Sequence, residues 1–234
     1  MLTVTTPDHA EGRLIDVQLN APPGNHLTVP ACTELAALLR CPPPGAHVLR
    51  LHAAGSVFCL GRQRAATTPG QLRAESATLV ELHRALRDSP LVTVASVHGD
   101  AAGFGVGLVA MCDVAVAAEQ ARFSFPEVDI NLAPALALAW LPRLIGEREA
   151  FWMTATGAQI DANRARALNL LNDVVPAAEL TSEVDRRIQT VLAGPPRIHA
   201  EIKDMLRAMR SLDDDQALEA SIDRLAICSL RRTE

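Results

Sequence analysis

Residues 91–118 decide the fold: Leu-Val-Thr-Val-Ala-Ser-Val, then His98-Gly99-Asp100-Ala101-Ala102-Gly103-Phe104-Gly105-Val106-Gly107, then Leu-Val-Ala-Met-Cys-Asp and Val-Ala-Val-Ala-Ala. The first seven residues are too continuously apolar for a half-exposed strand and predict one buried on both faces. The glycine-rich stretch that follows permits a tight turn and a close approach of backbone to a neighbour. A short helix and a second apolar strand complete the unit.

The same alternation extends in both directions. Residues 14–20 and 47–52 read as strands, the first closed by Ala21-Pro22-Pro23-Gly24-Asn25. Leu and Ala fall at helical spacing over residues 29–40, where Pro42-Pro43-Pro44 forbids continuation. Residues 71–88 carry Leu72, Leu79, Leu82 and Leu86 opposite a charged face, an amphipathic helix. Residues 136–155 read as helix broken at Pro142 and Gly146, residues 162–168 as a short helix, and Val174-Val175 as a strand. From residue 177 the pattern is helical with a break at Gly194-Pro195-Pro196, and Asp213-Asp214-Asp215 reads as a solvated helix start. The expected class is α/β with a helical C-terminal extension: a core over 1–176 and a helical region over 177–234.

Composition narrows the chemistry. Of 234 residues 49% are hydrophobic but only 3% aromatic, with 5 Phe, 2 Trp and no Tyr. Base-stacking platforms and tyrosine-dependent mechanisms are therefore disfavoured. A net charge of −5 argues against nucleic acid and anionic membranes as partners. The 5 cysteines lack metal-ligand spacing, so neither a zinc site nor a disulfide framework is expected. The N-terminal residues have no signal-peptide pattern and no apolar run reaches membrane length, which predicts a soluble, cytoplasmic chain. Lys203 is the single lysine, read as a trace of genome composition.

Gly103-Phe-Gly105-Val-Gly107 places its third glycine one residue early for a dinucleotide-binding GxGxxG, and no GxSxG elbow exists. A different set of motifs agrees in order and spacing. Leu19-Asn20 through Leu27-Thr28, Phe58-Cys59-Leu60-Gly61, His98-Gly99 through Cys112-Asp113, Phe123-Ser124-Phe125-Pro126-Glu127 and Leu141-Pro142-Arg143-Leu144-Ile145-Gly146 together resemble the crotonase, or enoyl-CoA hydratase/isomerase, superfamily. The resemblance implies a spiral of ββα turns that binds coenzyme A thioesters, with no cofactor besides the coenzyme A of the substrate. It also implies a homotrimer or hexamer. The family's last segment would fall beyond residue 234, a shortened C-terminus.

Carried over to this chain, the resemblance makes the backbone N–H groups of Leu60 and Phe104 an oxyanion hole for a thioester enolate. Each such donor is worth about 3–4 kcal/mol of barrier. Phe58, Gly61, Arg62, Gly103, Asp129 and Ala135 would surround the substrate, Arg62 with Arg64 toward the coenzyme A phosphates. Hydratases of the family use two glutamates; the first is Gly107 here and the second is Glu127. One carboxylate suffices to move a proton between C2 and C4, so Δ3-Δ2 enoyl-CoA isomerisation is favoured, with Glu127 as proton shuttle. Hydration or dehydration, on coenzyme A or a carrier-protein thioester, is the alternative within the same site. A catalytically weak homologue that binds thioesters or a partner enzyme is the reading from another class.

Overall fold

The structure, a computed structural model, describes residues 1–7 and 10–230. Among them one six-stranded sheet runs β1 (Leu2–Thr5), β2 (Leu14–Leu19), β3 (Val48–Ala53), β4 (Val92–Val97), β6 (Val114–Ala118) and β9 (Asp173–Val175). A three-stranded sheet pairs β5 (Ala101–Ala102), β7 (Arg122–Ser124) and β8 (Ile160–Asp161). Neighbours in the large sheet are parallel except β1 with β2. The chain thus passes from a long strand to a short strand to a helix, as β4, β5 and α3 (Phe104–Met111) do, before re-entering the large sheet. This is the α/β, crotonase-like ββα spiral expected from the motifs.

Local chemistry explains the helices around it. Thr28 caps α1 (Val29–Arg40), its hydroxyl accepting from the Ala31 N–H at 3.2 Å. Thr68 and Gln71 form a reciprocal capping box at α2 (Pro69–Asp88), with Pro69 in the first turn. The helical stretch after Asn131 is divided into α4 (Ala135–Leu138), α5 (Leu141–Ile145) and α6 (Glu147–Thr156), the breaks falling close to Pro142 and Gly146. A short helix, α7 (Ala162–Ala167), leads to β9.

The large sheet is covered on both faces, as its apolar strands require. On one face Leu82, Leu86, Leu108 and the fully buried Phe58, Phe123 and Phe125 pack with Leu49, Ala95 and Val97. On the other, Leu180, Val184, Ile188 and Leu192 of α8 (Leu180–Leu192) cover Val48, Val92, Val94 and Val116. Each such leucine contributes about 1.5–3 kcal/mol relative to an exposed one. In contrast α9 (Pro196–Met209) and α10 (Asp214–Leu230) bury no residue. Lys203 ties α9 to the sheet, its ammonium donating to the Leu91 carbonyl at 2.6 Å and to Asp113 Oδ2 at 2.7 Å. No helix among the described residues is long and apolar enough to cross a membrane. Cys32, Cys41, Cys59 and Cys112 are free thiols, and Cys228 Sγ donates to Glu201 Oε2 at 3.0 Å.

Candidate active site

Three chain segments meet at the start of α3. The turn after β3 is clamped onto it by backbone bonds: the N–H groups of Phe58 and Cys59 donate to the Asp100 carbonyl at 3.0 and 3.1 Å, and that of Ala102 to the Cys59 carbonyl at 2.9 Å. Position 105 can only be glycine at this crossing, because a Cβ there would lie 2.1 Å from the Cys59 oxygen. The Gly103 N–H donates to the Ser124 carbonyl at 2.9 Å, which brings in the third segment, the 3-10 turn Pro126–Ile130 after β7.

Gly103 holds φ +52°, and a Cβ built on it would stand 2.6 Å from Glu127 Oε1. The Glu127 carboxylate therefore lies against the residue that precedes the first N–H of α3. That N–H, of Phe104, has no acceptor within the helix, and the helix dipole adds positive character there. A Cβ on Gly61 would be 4.0 Å from the Phe104 nitrogen, so the two glycine turns face each other across the site. Glu127 Oε2 is buried with no hydrogen-bond partner. Burial pushes the carboxyl above its usual range, against smaller lowering by its own backbone N–H and by Arg64 and Arg62.

A cavity of about 700 Å³ opens here. Leu60, Gly61, Gly103, Phe104 and Glu127 line it, together with Arg62, Arg64, Asp129 and Ala135. Phe58 does not. Its side chain is 0% exposed and belongs to the core, because the turn sends it inward against the sheet while its backbone makes the clamp; the expectation that it touches substrate is corrected. Arg62 is held by Glu75 at 2.9 Å with both side chains largely buried, so half of the expected phosphate pair already has a partner. The Leu60 N–H, expected as one of two free donors, donates to the Gly24 carbonyl at 2.8 Å. An incoming oxygen has to replace that carbonyl, whereas at Phe104 it displaces nothing within the helix. His98 is structural, its Nε2 3.0 Å from the Gly55 carbonyl.

One residue escaped the sequence reading. His83 of α2 lines the cavity directly opposite Gly107, where a Cβ would stand 2.8 Å from His83 Nε2 and 3.6 Å from the Trp140 ring. The imidazole stacks on Phe104 with centroids 4.8 Å apart, and burial lowers its pKa to about 4. The signal was available: His83 falls inside the apolar stripe Leu79, Leu82, Leu86, the inward face of its helix.

The enoyl-CoA hydratase/isomerase family model matches residues 9–227. Over 148 residues the chain is 36% identical to the mitochondrial enoyl-CoA hydratase domain-containing protein 3 of Homo sapiens, covering 59% of this chain and 47% of that one, so it spans about half that relative's length. The crystal structure of an enoyl-CoA hydratase from Mycobacterium smegmatis superposes with a TM-score of 0.91 at 27% identity, covering 99% of this chain and 91% of that one. A Thermobifida fusca structure in complex with CoA gives 0.85 at 25% identity over 100% of this chain and 95% of its own. With the family model spanning nearly the whole sequence and the ββα spiral shared across its length, the chain belongs to the enoyl-CoA hydratase/isomerase, or crotonase, superfamily.

Proposed function

We propose that this chain isomerises a 3-enoyl-CoA to the 2-enoyl-CoA, with Glu127 carrying the proton. The observation that carries the reading is the placement of one desolvated carboxylate, its Oε2 without a hydrogen-bond partner, against Gly103 and beside the N–H of Phe104. Ionised, Glu127 removes a proton from C2; the electron pair moves into the thioester carbonyl, and the oxygen takes negative charge. The Phe104 N–H stabilises that oxygen, joined by the Leu60 N–H once the thioester oxygen has replaced the Gly24 carbonyl. Glu127 then returns the proton at C4. The CoA complex of the Thermobifida fusca relative supports coenzyme A as the carrier.

The test supplies 3-enoyl-CoA to wild type and Glu127→Gln. Wild type forms the conjugated product, and the variant loses about 10³-fold in kcat, within the range of a general base. The wild-type kcat rises with pH through the raised pKa of Glu127 and then levels. No turnover by wild type, or an equally active variant, overturns the assignment. Thioester binding without turnover is the second reading, favoured by the Leu60 bond to Gly24; it predicts tight binding of a 3-enoyl-CoA that is recovered unchanged.

The proposal extends to assembly of three copies or two such trimers. Phe151 of α6, 71% exposed, lines one surface hollow with the exposed Val128, Leu132 and Leu138, an apolar patch that a lone chain in water disfavours. Light scattering of the purified chain at the mass of a monomer rules this out.

A further inference from the structure

Three buried polar atoms among the described residues have no hydrogen-bond partner: Glu127 Oε2, His83 Nε2 and Trp140 Nε1. All three residues line the one cavity that holds the site. Leaving a buried polar group unmatched costs about 1–3 kcal/mol, so three in one place mark where a polar ligand belongs. Their arrangement is specific. Glu127 lies against Gly103, the residue before α3, and His83 against Gly107 within its first turn, so both groups border the start of that helix. The Trp140 ring, which lines the same cavity, stands edge-on to His83, at 87° and 6.4 Å between centroids.

We propose that His83 takes over the space left by the absent side chain of Gly107 and, with Glu127, holds a water over C3 of a bound 2-enoyl thioester, making this site a hydratase as well as an isomerase. The inference rests on the thioester reading and on Glu127 as its base. In the tautomer protonated on Nδ1, His83 Nε2 accepts one hydrogen of the water, whose other hydrogen points at the Glu127 carboxylate. The water oxygen adds to C3 as its O–H bond to the second hydrogen breaks; the C2–C3 π pair moves toward the thioester, whose oxygen takes the charge. Glu127 passes the proton it received to C2, and the charge collapses back to give the 3-hydroxyacyl thioester. Atoms and charge balance with no co-reactant besides water. His83 stays neutral throughout, as its burial against Phe104 favours.

The experiment measures two reactions on each protein: hydration of a short 2-enoyl-CoA and isomerisation of the matching 3-enoyl-CoA. His83→Phe keeps the stack on Phe104 and removes the acceptor. Its hydration kcat falls about 100-fold with KM little changed, while isomerisation stays within threefold. His83→Gln, which retains an acceptor oxygen, recovers at least tenfold of the lost hydration. In the double variant His83→Ala/Gly107→Glu the space vacated by the ring admits a carboxylate, and hydration rises at least tenfold over His83→Ala. Parallel loss of both activities in His83→Phe and in His83→Gln means that His83 only packs, and overturns the inference. Wild type that isomerises but does not hydrate overturns it while leaving the proposed function standing. Wild type that does neither removes both.

Discussion

Asp16 and Glu127 each have carboxylate oxygens withdrawn from water, and their surroundings differ in kind. Asp16 of β2 is 8% exposed, and burial by itself raises its pKa; hydrogen bonds from Arg50, at 2.9 Å through Nε, and from His52, at 3.0 Å, hold it down at about 2. Arg50 reaches Asp185 of α8 as well, at 2.8 Å, so a polar cluster stitches the sheet to the helix over it. Glu127 is only partly buried, but its Oε2 is out of water without such partners, and its pKa moves the other way. Where every charge is paired, the side chain holds the fold; where one is left unpaired in a cavity, a substrate has to complete it.

The largest effect that tests this contrast is Arg50→Met. The substitution leaves the buried Asp16 with the His52 hydrogen bond alone and no permanent positive charge beside it, and urea unfolding should report a loss of about 3 kcal/mol, with isomerase kcat per folded molecule unchanged. A loss below about 1 kcal/mol would place the cluster with exposed surface pairs and remove its side of the comparison. Gly103→Ala comes next. The new methyl meets Glu127 Oε1 at 2.6 Å and imposes a left-handed φ on alanine, so the carboxylate must swing out. We expect kcat/KM to fall about 100-fold, or about 2.7 kcal/mol. Unchanged kcat/KM in a folded variant would show that the reaction does not need Glu127 where Gly103 holds it.

Of these two carboxylates only Glu127 was singled out in the sequence; Asp16 lay unremarked inside the strand read over residues 14–20. Glu127 stood in a motif with fixed spacing to the glycine turns, and those turns were legible because close backbone approach restricts residue choice. The long strands and helices were legible for a related reason: α1 and α2 carry their periodicity, caps and stops locally. The β5, β7 and β8 strands were not, since two or three residues pair only because the large sheet presents them. Phe58 was misplaced because a turn motif specifies its backbone, not which way its side chain falls. The bond from Leu60 to Gly24 joins residues 36 positions apart and leaves no periodic trace. The gap between α9 and α10 holds neither Pro nor Gly, yet Asp213 announced the next helix, its carboxylate accepting from the Gln216 N–H at 2.9 Å. Lys203 looked like composition alone; its two bonds to the residues just before β4 and β6 depend on a fold the local sequence does not reveal.

The smallest expected effect is the pH dependence, and it separates the two carboxylates by sign. Asp16 has a folded pKa of about 2 against 3.8 unfolded, so its contribution is complete above pH 3.8 and is lost as pH falls through 2. For Glu127 the folded pKa lies above 4.5, so the folded state binds its proton more tightly than the unfolded state does. Its ionisation then costs stability as pH rises from 4.5 through the folded value, and that cost persists at neutral pH. His83 and His47 add a background: with pKa values lowered from 6.5 to about 4 by burial, both weaken the fold as pH falls between those values. This background is common to wild type and Glu127→Gln, so it cancels in their difference. Glu127→Gln should therefore melt a few degrees higher than wild type at pH 7, the scale at which about 1 kcal/mol shifts a chain of this size. The gain should vanish below pH 4.5, where the wild-type carboxyl is protonated in both states. A variant that melts lower than wild type at pH 7 would mean that the Glu127 charge stabilises the fold as Asp16 does, and the distinction between a structural and a functional carboxylate would fail at the residue on which the proposed chemistry depends.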